Sequence, residues 1–408
     1  MNNMTLLRPF VFAAACAAFF TLCGCGSDNA ELNRARSMKK TIYSLYRVDD
    51  SPLLAENYPR DTSARATYLA EGADQSVNEY SYLWPYSGTL SMMSALYDAA
   101  GDESDLEFID HVVVEGLDRY YDTSREPYAY SSYITADRSD RFYDDNIWLA
   151  IDFTDLYIAT GNPDYLAYAR DIWRFVMSGR DDALGDGIYW CEQKKGSKNA
   201  CSNAPAAVCA LKLYKATGEE EFLRTGRELY EWTYTTLRDA EDNLYFDNKS
   251  LDGRISRAKY SYNSGQMIEA GVLLYSITGE DRFLREAQAT ARGCYDKWFK
   301  EVRDGENTLR IMESGDVWFD AVMLRGLIAL YRADSDGRYV SAVRATLDYA
   351  WRNGRDADGL FGKFLSRDDS ADDKGGGNRR GRRKAKRRWL LTQAAYAEMS
   401  ARMAKVDL

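Results

Sequence analysis

The sequence predicts an all-α protein, an (α/α)6 toroid of six helical hairpins forming one domain. Three observations carry that reading: a recurring Tyr-Thr-Gly phrase, the alternation of apolar with amphipathic helices around it, and a shortage of strand signals. The phrase reads Tyr157-Ile158-Ala159-Thr160-Gly161, Tyr214-Lys215-Ala216-Thr217-Gly218 and Tyr275-Ser276-Ile277-Thr278-Gly279, with weaker copies from Tyr97 and Tyr331. Its leading tyrosines stand 60, 57, 61 and 56 residues apart. That period is too long for a tetratricopeptide unit of roughly 34 residues and accommodates one hairpin plus a long connection.

The elements follow in chain order. Residues 9–25 form a short apolar stretch behind Arg8, which reads as the core of a signal peptide, too short for a comfortable membrane span. Its end, Leu22-Cys23-Gly24-Cys25, resembles a bacterial lipoprotein cleavage box, with Cys25 as the lipidated residue. An ordinary signal peptide cut nearby is the alternative. Residues 1–24 are therefore expected to be removed, 25–33 to act as a short tether and 34–408 to form the domain. The mature protein is expected to be an exported lipoprotein of the outer membrane or cell surface, touching the membrane only through its anchor.

Amphipathic helices are predicted over Asn33–Tyr46, Leu106–Tyr121, Asp164–Met177, Glu219–Leu237, Asp281–Phe299 and Arg338–Trp351. In the fourth, Phe222, Leu223, Gly226, Leu229, Tyr230, Thr233, Tyr234 and Leu237 recur at i, i+3, i+4 among charged residues, so one face is buried and the other wet. Enclosed helices, apolar nearly all round, are predicted to start near Trp84, Asp145, Pro205, Gly265, Val317 and Trp389. Gly at the end of each phrase supplies a left-handed C-cap, and the acidic residues after it suit the next helix N-terminus. The N-terminal amphipathic helix fills the gap beside the last hairpin. Between residues 367 and 388 lies a charged loop: two Asp pairs, then nine basic residues from Lys374 to Arg388. It reads either as a solvated loop partly neutralised by its own acidic half or as a contact for anionic groups.

Composition narrows the chemistry. With 63 acidic and 53 basic residues the net charge is −10, which excludes nucleic acid as a partner of the whole chain. The one histidine, His111, sits in a predicted amphipathic helix and reads as packing. Histidine zinc sites and paired-histidine epimerases are excluded, since each needs two imidazoles. No metal or cofactor is expected, and general acid/base work falls to carboxylates. Beyond the leader remain Cys191, Cys201, Cys209 and Cys294. The spacing permits a Cys191–Cys201 bridge, and buried thiols fit equally well.

The topology also sorts the loops. Turns after the enclosed helices are short and share one rim; the segments before them are long and share the other, where a site is built. They bring together Tyr143-Asp144-Asp145, Lys198 to Asn203, Tyr260 to Asn263 and Glu313 to Asp316. Asp-Asp pairs are common here, at 49–50, 144–145, 181–182, 368–369 and 372–373, but only Asp144-Asp145 lies between aromatic residues at the mouth of an enclosed helix. Two carboxylates this close cannot both ionise easily, so one pKa rises, while the helix dipole favours the other as an anion. Those are the acid and the nucleophile of a retaining glycosidase. An N-cap beside a surface acid is the plainer alternative.

Three segments, Arg141 to Trp148, Lys198 to Asn203 and Ser261-Tyr262-Asn263-Ser264-Gly265, stand in that order on successive hairpins and resemble glycoside hydrolase family 76. The resemblance runs from about Trp84 to the last helix. It implies a metal-free, retaining, endo-acting α-1,6-mannanase whose partner is an α-mannan polysaccharide or oligosaccharide. Asp144 matches the nucleophile and Asp145 the acid/base; Lys198, Asn199, Asn203, Tyr262 and Asn263 match substrate-contact motifs. Trp84, Trp148, Trp190 and Trp318 are candidate stacking faces for pyranose rings. One departure is Phe319-Asp320-Ala321, where Phe-Lys-Gly is expected, and it bears on linkage or subsite preference. A non-catalytic glycan-binding lipoprotein and a transglycosylase of the same fold are the rival readings, and a monomer is expected.

Overall fold

The computed structural model describes residues 29–70, 78–135, 139–363, 365 and 386–408; the expected signal peptide, Cys25 and most of the charged loop lie outside them. Among the described residues twelve helices alternate between an outer and an inner layer. The outer helices are α1 (Ala30–Leu45), α3 (Glu103–Phe108, continued by a π-helical turn Ile109–Val114 and by Glu115–Asp118), α5 (Pro163–Met177), α7 (Glu220–Leu237), α9 (Asp281–Trp298) and α11 (Arg338–Asn353). The inner helices are α2 (Leu83–Ala100), α4 (Tyr143–Thr160), α6 (Ala200–Thr217), α8 (Ser261–Thr278), α10 (Val317–Asp334) and α12 (Leu390–Met403). Each inner helix packs on the next, and α12 packs back on α2, so the ring closes as an (α/α)6 toroid.

Sequence explains the layers. In α6 every residue from Ala200 to Leu211 is buried. In α7 burial follows Phe222, Thr225, Gly226, Leu229, Tyr230, Thr233 and Leu237, the stripe expected of a helix with one wet face. Inner helices approach closely where glycines face each other: a Cβ on Gly265 would lie 2.4 Å from Met323 Cα, and one on Gly326 would lie 2.2 Å from the Gly265 carbonyl.

The repeated phrase is a capping device. In four hairpins a left-handed Gly (Gly101, Gly161, Gly218, Gly279) ends the inner helix and its N–H donates to the carbonyl of the tyrosine four residues back. The fifth copy holds Ser335 in the same conformation, at φ 60°. The threonine serves both sides of the bend. Thr160, Thr217 and Thr278 donate to carbonyls four residues earlier and accept the N–H two residues later. The hairpin turns form one rim of the ring.

The opposite rim carries short strands that the sequence reading left out. β1 (Asn57–Tyr58) pairs with β9 (Arg388–Trp389), and β2 (Tyr121–Asp122) with β3 (Ala129–Tyr130). β4 (Ser197–Asn199), β5 (Phe246–Ser250) and β6 (Ile255–Lys259) form a three-stranded sheet, and β7 (Phe299–Asp304) pairs with β8 (Asn307–Met312).

One tether recurs where these loops meet the inner helices, always four residues after the N-cap. The Asn146 amide accepts from Tyr130 N (2.8 Å) and donates to the carbonyls of Tyr130 (2.9 Å) and Phe142 (2.9 Å). Asn203 does the same with Ile188 and Asn199, and Gln393 with Phe361 and Trp389. Ser264 accepts from Tyr245 N, and Asp320 from Ser314 N (3.2 Å). Asp320 is thus a buried loop tether, which accounts for the acid in the Phe319-Asp320-Ala321 segment.

His111 lies exposed on the π-helical turn of α3, so it is not a packing residue. The four cysteines of the domain are buried free thiols, and Cys191 and Cys201 are unbridged.

Candidate active site

The strand-bearing rim surrounds a cleft of about 440 Å³. At its centre is the first turn of α4, which carries Asp144 and Asp145. The approach to that turn is held rigidly. The Arg141 side chain is fully buried, donating from Nε to Glu192 (2.7 Å) and from Nη1 to the carbonyls of Arg125 and Pro127 (both 3.1 Å). Tyr143 N donates to the Trp190 carbonyl (3.0 Å), and below the turn Asn146 provides its tether.

The two carboxylates line one cleft but differ in surroundings. Asp144 Oδ2 accepts from the Trp190 indole Nε1 at 3.1 Å, while Oδ1 is buried. Burial raises the pKa of Asp144, and hydrogen bonds from Cys201, Trp190 and backbone N–H groups oppose the rise. Asp145 is raised well above the ordinary carboxylate range by burial and then by the Asp144 charge. Burial thus raises both carboxyls, and the charge of Asp144 raises Asp145 further.

A third carboxylate, Asp247 on β5, lines the same cleft, with Asn248 Nδ2 donating to it at 2.7 Å; burial raises its pKa. Nothing in the polar run Phe246-Asp247-Asn248 marked it. Its partner strand β6 and the turn residues Asp252-Gly253 were the one available hairpin signal.

Aromatic rings build the floor and walls. Trp148 and Trp318 are buried and meet edge to face at 5.0 Å, forming the floor. Trp84, Trp190 and Tyr262 are partly exposed along the walls; Tyr262 stacks on Phe319 at 4.3 Å, and Tyr68 meets Trp84 at 5.0 Å. Tyr68 and Phe319 were not picked out from the sequence. Of the remaining sequence candidates, Asn199 lines the cleft. Lys198 does not. Side chains alternate along β4, so Lys198 turns inward, its Nζ 2.9 Å from Asp181 and 4.9 Å from the Tyr189 ring centroid. Asn203 is consumed by its tether, and Asn263 is buried in α8 with neither amide atom hydrogen-bonded among the described residues.

Comparison with known proteins gives the family. The model of Glycosyl hydrolase family 76 matches residues 63–314. The chain belongs to glycosyl hydrolase family 76. Among solved structures of the family, the mannosidase Bt3792 of Bacteroides thetaiotaomicron VPI-5482 is 31% identical, with a TM-score of 0.79 over 92% of this chain and 98% of its own. An α-1,6-mannanase of Salegentibacter sp. HEL1_6 is 25% identical, with a TM-score of 0.69 over 91% and 98%. The mannan endo-1,6-alpha-mannosidase DCW1 of Saccharomyces cerevisiae is 23% identical over 129 residues, 29% of each chain. This family 76 chain therefore spans under a third of the length of that curated relative.

Proposed function

We propose that the protein is a retaining, endo-acting hydrolase of α-1,6-linked mannan. The observation that carries this reading is the Asp144-Asp145 pair in an aromatic cleft, with Trp190 donating to the first carboxylate and the pKa of the second raised by burial and by its neighbour's charge. The family, and the α-1,6-mannanase and mannosidase names of its structural neighbours, support the substrate class.

The chemistry runs through this chain's own residues. The Asp144 carboxylate attacks the anomeric carbon as Asp145 gives its proton to the departing glycosidic oxygen, leaving a glycosyl ester on Asp144. Asp145, now a carboxylate, takes a proton from water, which attacks the same carbon and releases the sugar with retained configuration. Asn199 and Asp247 supply polar contacts for sugar hydroxyls; Trp84, Trp190 and Tyr262 supply ring faces. Incubation with linear α-1,6-mannan should release oligosaccharides whose first-formed anomer, followed by proton NMR, is α. Release of the β anomer, or no release at all, refutes the reading.

The same reading places the protein outside the cytoplasm as a monomeric lipoprotein of the outer membrane or cell surface, anchored through Cys25. Replacing Cys25 by Ala should move the protein from the detergent phase to the aqueous phase on Triton X-114 partition; unchanged partition removes the anchor.

A further inference from the structure

Beside the aspartate cleft, on the same rim, lies a second chamber of about 480 Å³. Both are lined by Thr67, Tyr68 and Trp84, so these residues form the ridge between them. Tyr68 meets Trp84 edge to face at 5.0 Å, and Trp389, in the chamber, closes against both rings, 5.9 Å from Tyr68 and 5.3 Å from Trp84. The family 76 reaction described above uses nothing beyond that ridge.

The chamber has the chemistry of a sugar site. Trp84 and Trp389 leave ring area exposed. Two carboxylates in its wall are fixed in place: Glu56 Oε2 accepts from Tyr82 N (3.1 Å) and Asn78 Nδ2 (3.2 Å), and Asp316 Oδ1 accepts from Trp318 N (2.9 Å). Its arginines Arg388 and Arg387 are matched by Asp356 (2.7 Å) and Asp61 (3.4 Å), and the charge of Lys363 acts on Asp316. The balance selects no anion. A neutral pyranose offers C–H faces to the rings and hydroxyls to the carboxylates, and the volume suits a small ligand.

The ring order gives the chamber a side. Helix α4 stands between α2, which carries Trp84, and α6, which carries Cys201. Asp144 leans toward α6, where Trp190 and Cys201 hydrogen-bond to it, whereas the charge of Asp145 is felt at Tyr68 on the ridge. In a retaining hydrolysis the acid stands beside the departing oxygen, so the leaving sugars lie on the acid's side. We propose that the chamber binds the leaving-group half of the substrate: sugars on the reducing-end side of the scissile bond cross the Tyr68–Trp84 ridge and stack on Trp389. This rests on the mannan reading and sharpens it to a chain with more than one sugar beyond the cleaved bond.

Two substrates separate the halves. A 4-nitrophenyl α-1,6-mannobioside has a leaving group too short to cross the ridge, whereas α-1,6-mannohexaose, labelled with oxygen-18 at its reducing end, fills it. Trp389→Ala, with its fold checked by circular dichroism, should lower kcat/KM on the hexaose at least about fivefold and shorten the labelled fragment seen by mass spectrometry. On the aryl substrate kcat/KM should stay within about twofold. Arg65 and Lys363 line the same chamber and are exposed, so R65A/K363A keeps the fold and should shorten the labelled fragment as well. An unchanged fragment in both variants overturns the proposal, as does equal loss on the two substrates. A longer labelled fragment overturns it too, since it places the chamber on the non-reducing side. A parent enzyme that cleaves neither substrate removes the mannan reading itself, and this assignment with it.

Discussion

Asp144 and Asp145 are neighbours of one residue type in different surroundings: Trp190 donates to the first, and the second is raised by burial and by the charge of the first. Replacing either by Asn should lower turnover of α-1,6-mannan by at least about 10³-fold while circular dichroism stays unchanged. The folded pKa of each lies above its unfolded value, Asp144 at about 6 and Asp145 higher. Stability from the pair is therefore fully present below the unfolded value near 4 and is lost as pH rises through the folded values. Either Asn variant should accordingly melt at the same or a higher temperature than the parent at pH 8, and a lower melting temperature contradicts this. Activity should fall on the acid side as Asp144 gains a proton and on the alkaline side as Asp145 loses one. Trp190→Phe removes the indole donor from Asp144, so the acid limb of kcat/KM should move to higher pH, which a pH-rate profile reads directly. At this scale the sequence was only partly legible. The aromatic setting of Asp144-Asp145 was visible in linear order, but the inward turn of Lys198 depends on strand register, and the tether at Asn203 on a backbone edge more than ten residues away.

The helices were legible because their pattern is long. All twelve were recovered, with α10 starting at the expected Val317. The main boundary error was at α6, whose start was expected near Pro205 although the helix begins at Ala200. The strands were missed because they span two to six residues and mostly bury one face weakly, leaving turn chemistry such as Asp304-Gly305 as the sole local mark. Two predictions belong here. Asn203→Ala leaves buried backbone groups of Ile188 and Asn199 unpaired and should cost about 2–4 kcal/mol by chemical denaturation. Ser335→Gly relieves the one non-glycine cap of the five and should gain about 0.5–1 kcal/mol.

The ring as a whole depends on its first and last helices meeting. α1 packs against α12 through Ala35, Met38 and Ile42, all buried, and Tyr46 Oη donates to the Arg388 carbonyl at 2.9 Å on the cleft rim. Ile42→Ala should cost about 2–5 kcal/mol, more than an equivalent truncation at the wet face of an outer helix. At its other end α1 begins on the hairpin-turn rim, where Asn29 caps Leu32 N and its Nδ2 donates to the Ala404 carbonyl at 3.0 Å. The chain thus enters the ring by the blunt face. With 16 residues in α1, about 24 Å of helix separates that point from the cleft rim. A molecule held by its leading residues would stand with the reaction facing outward, meeting long polymers from the surroundings before anything embedded in the supporting surface.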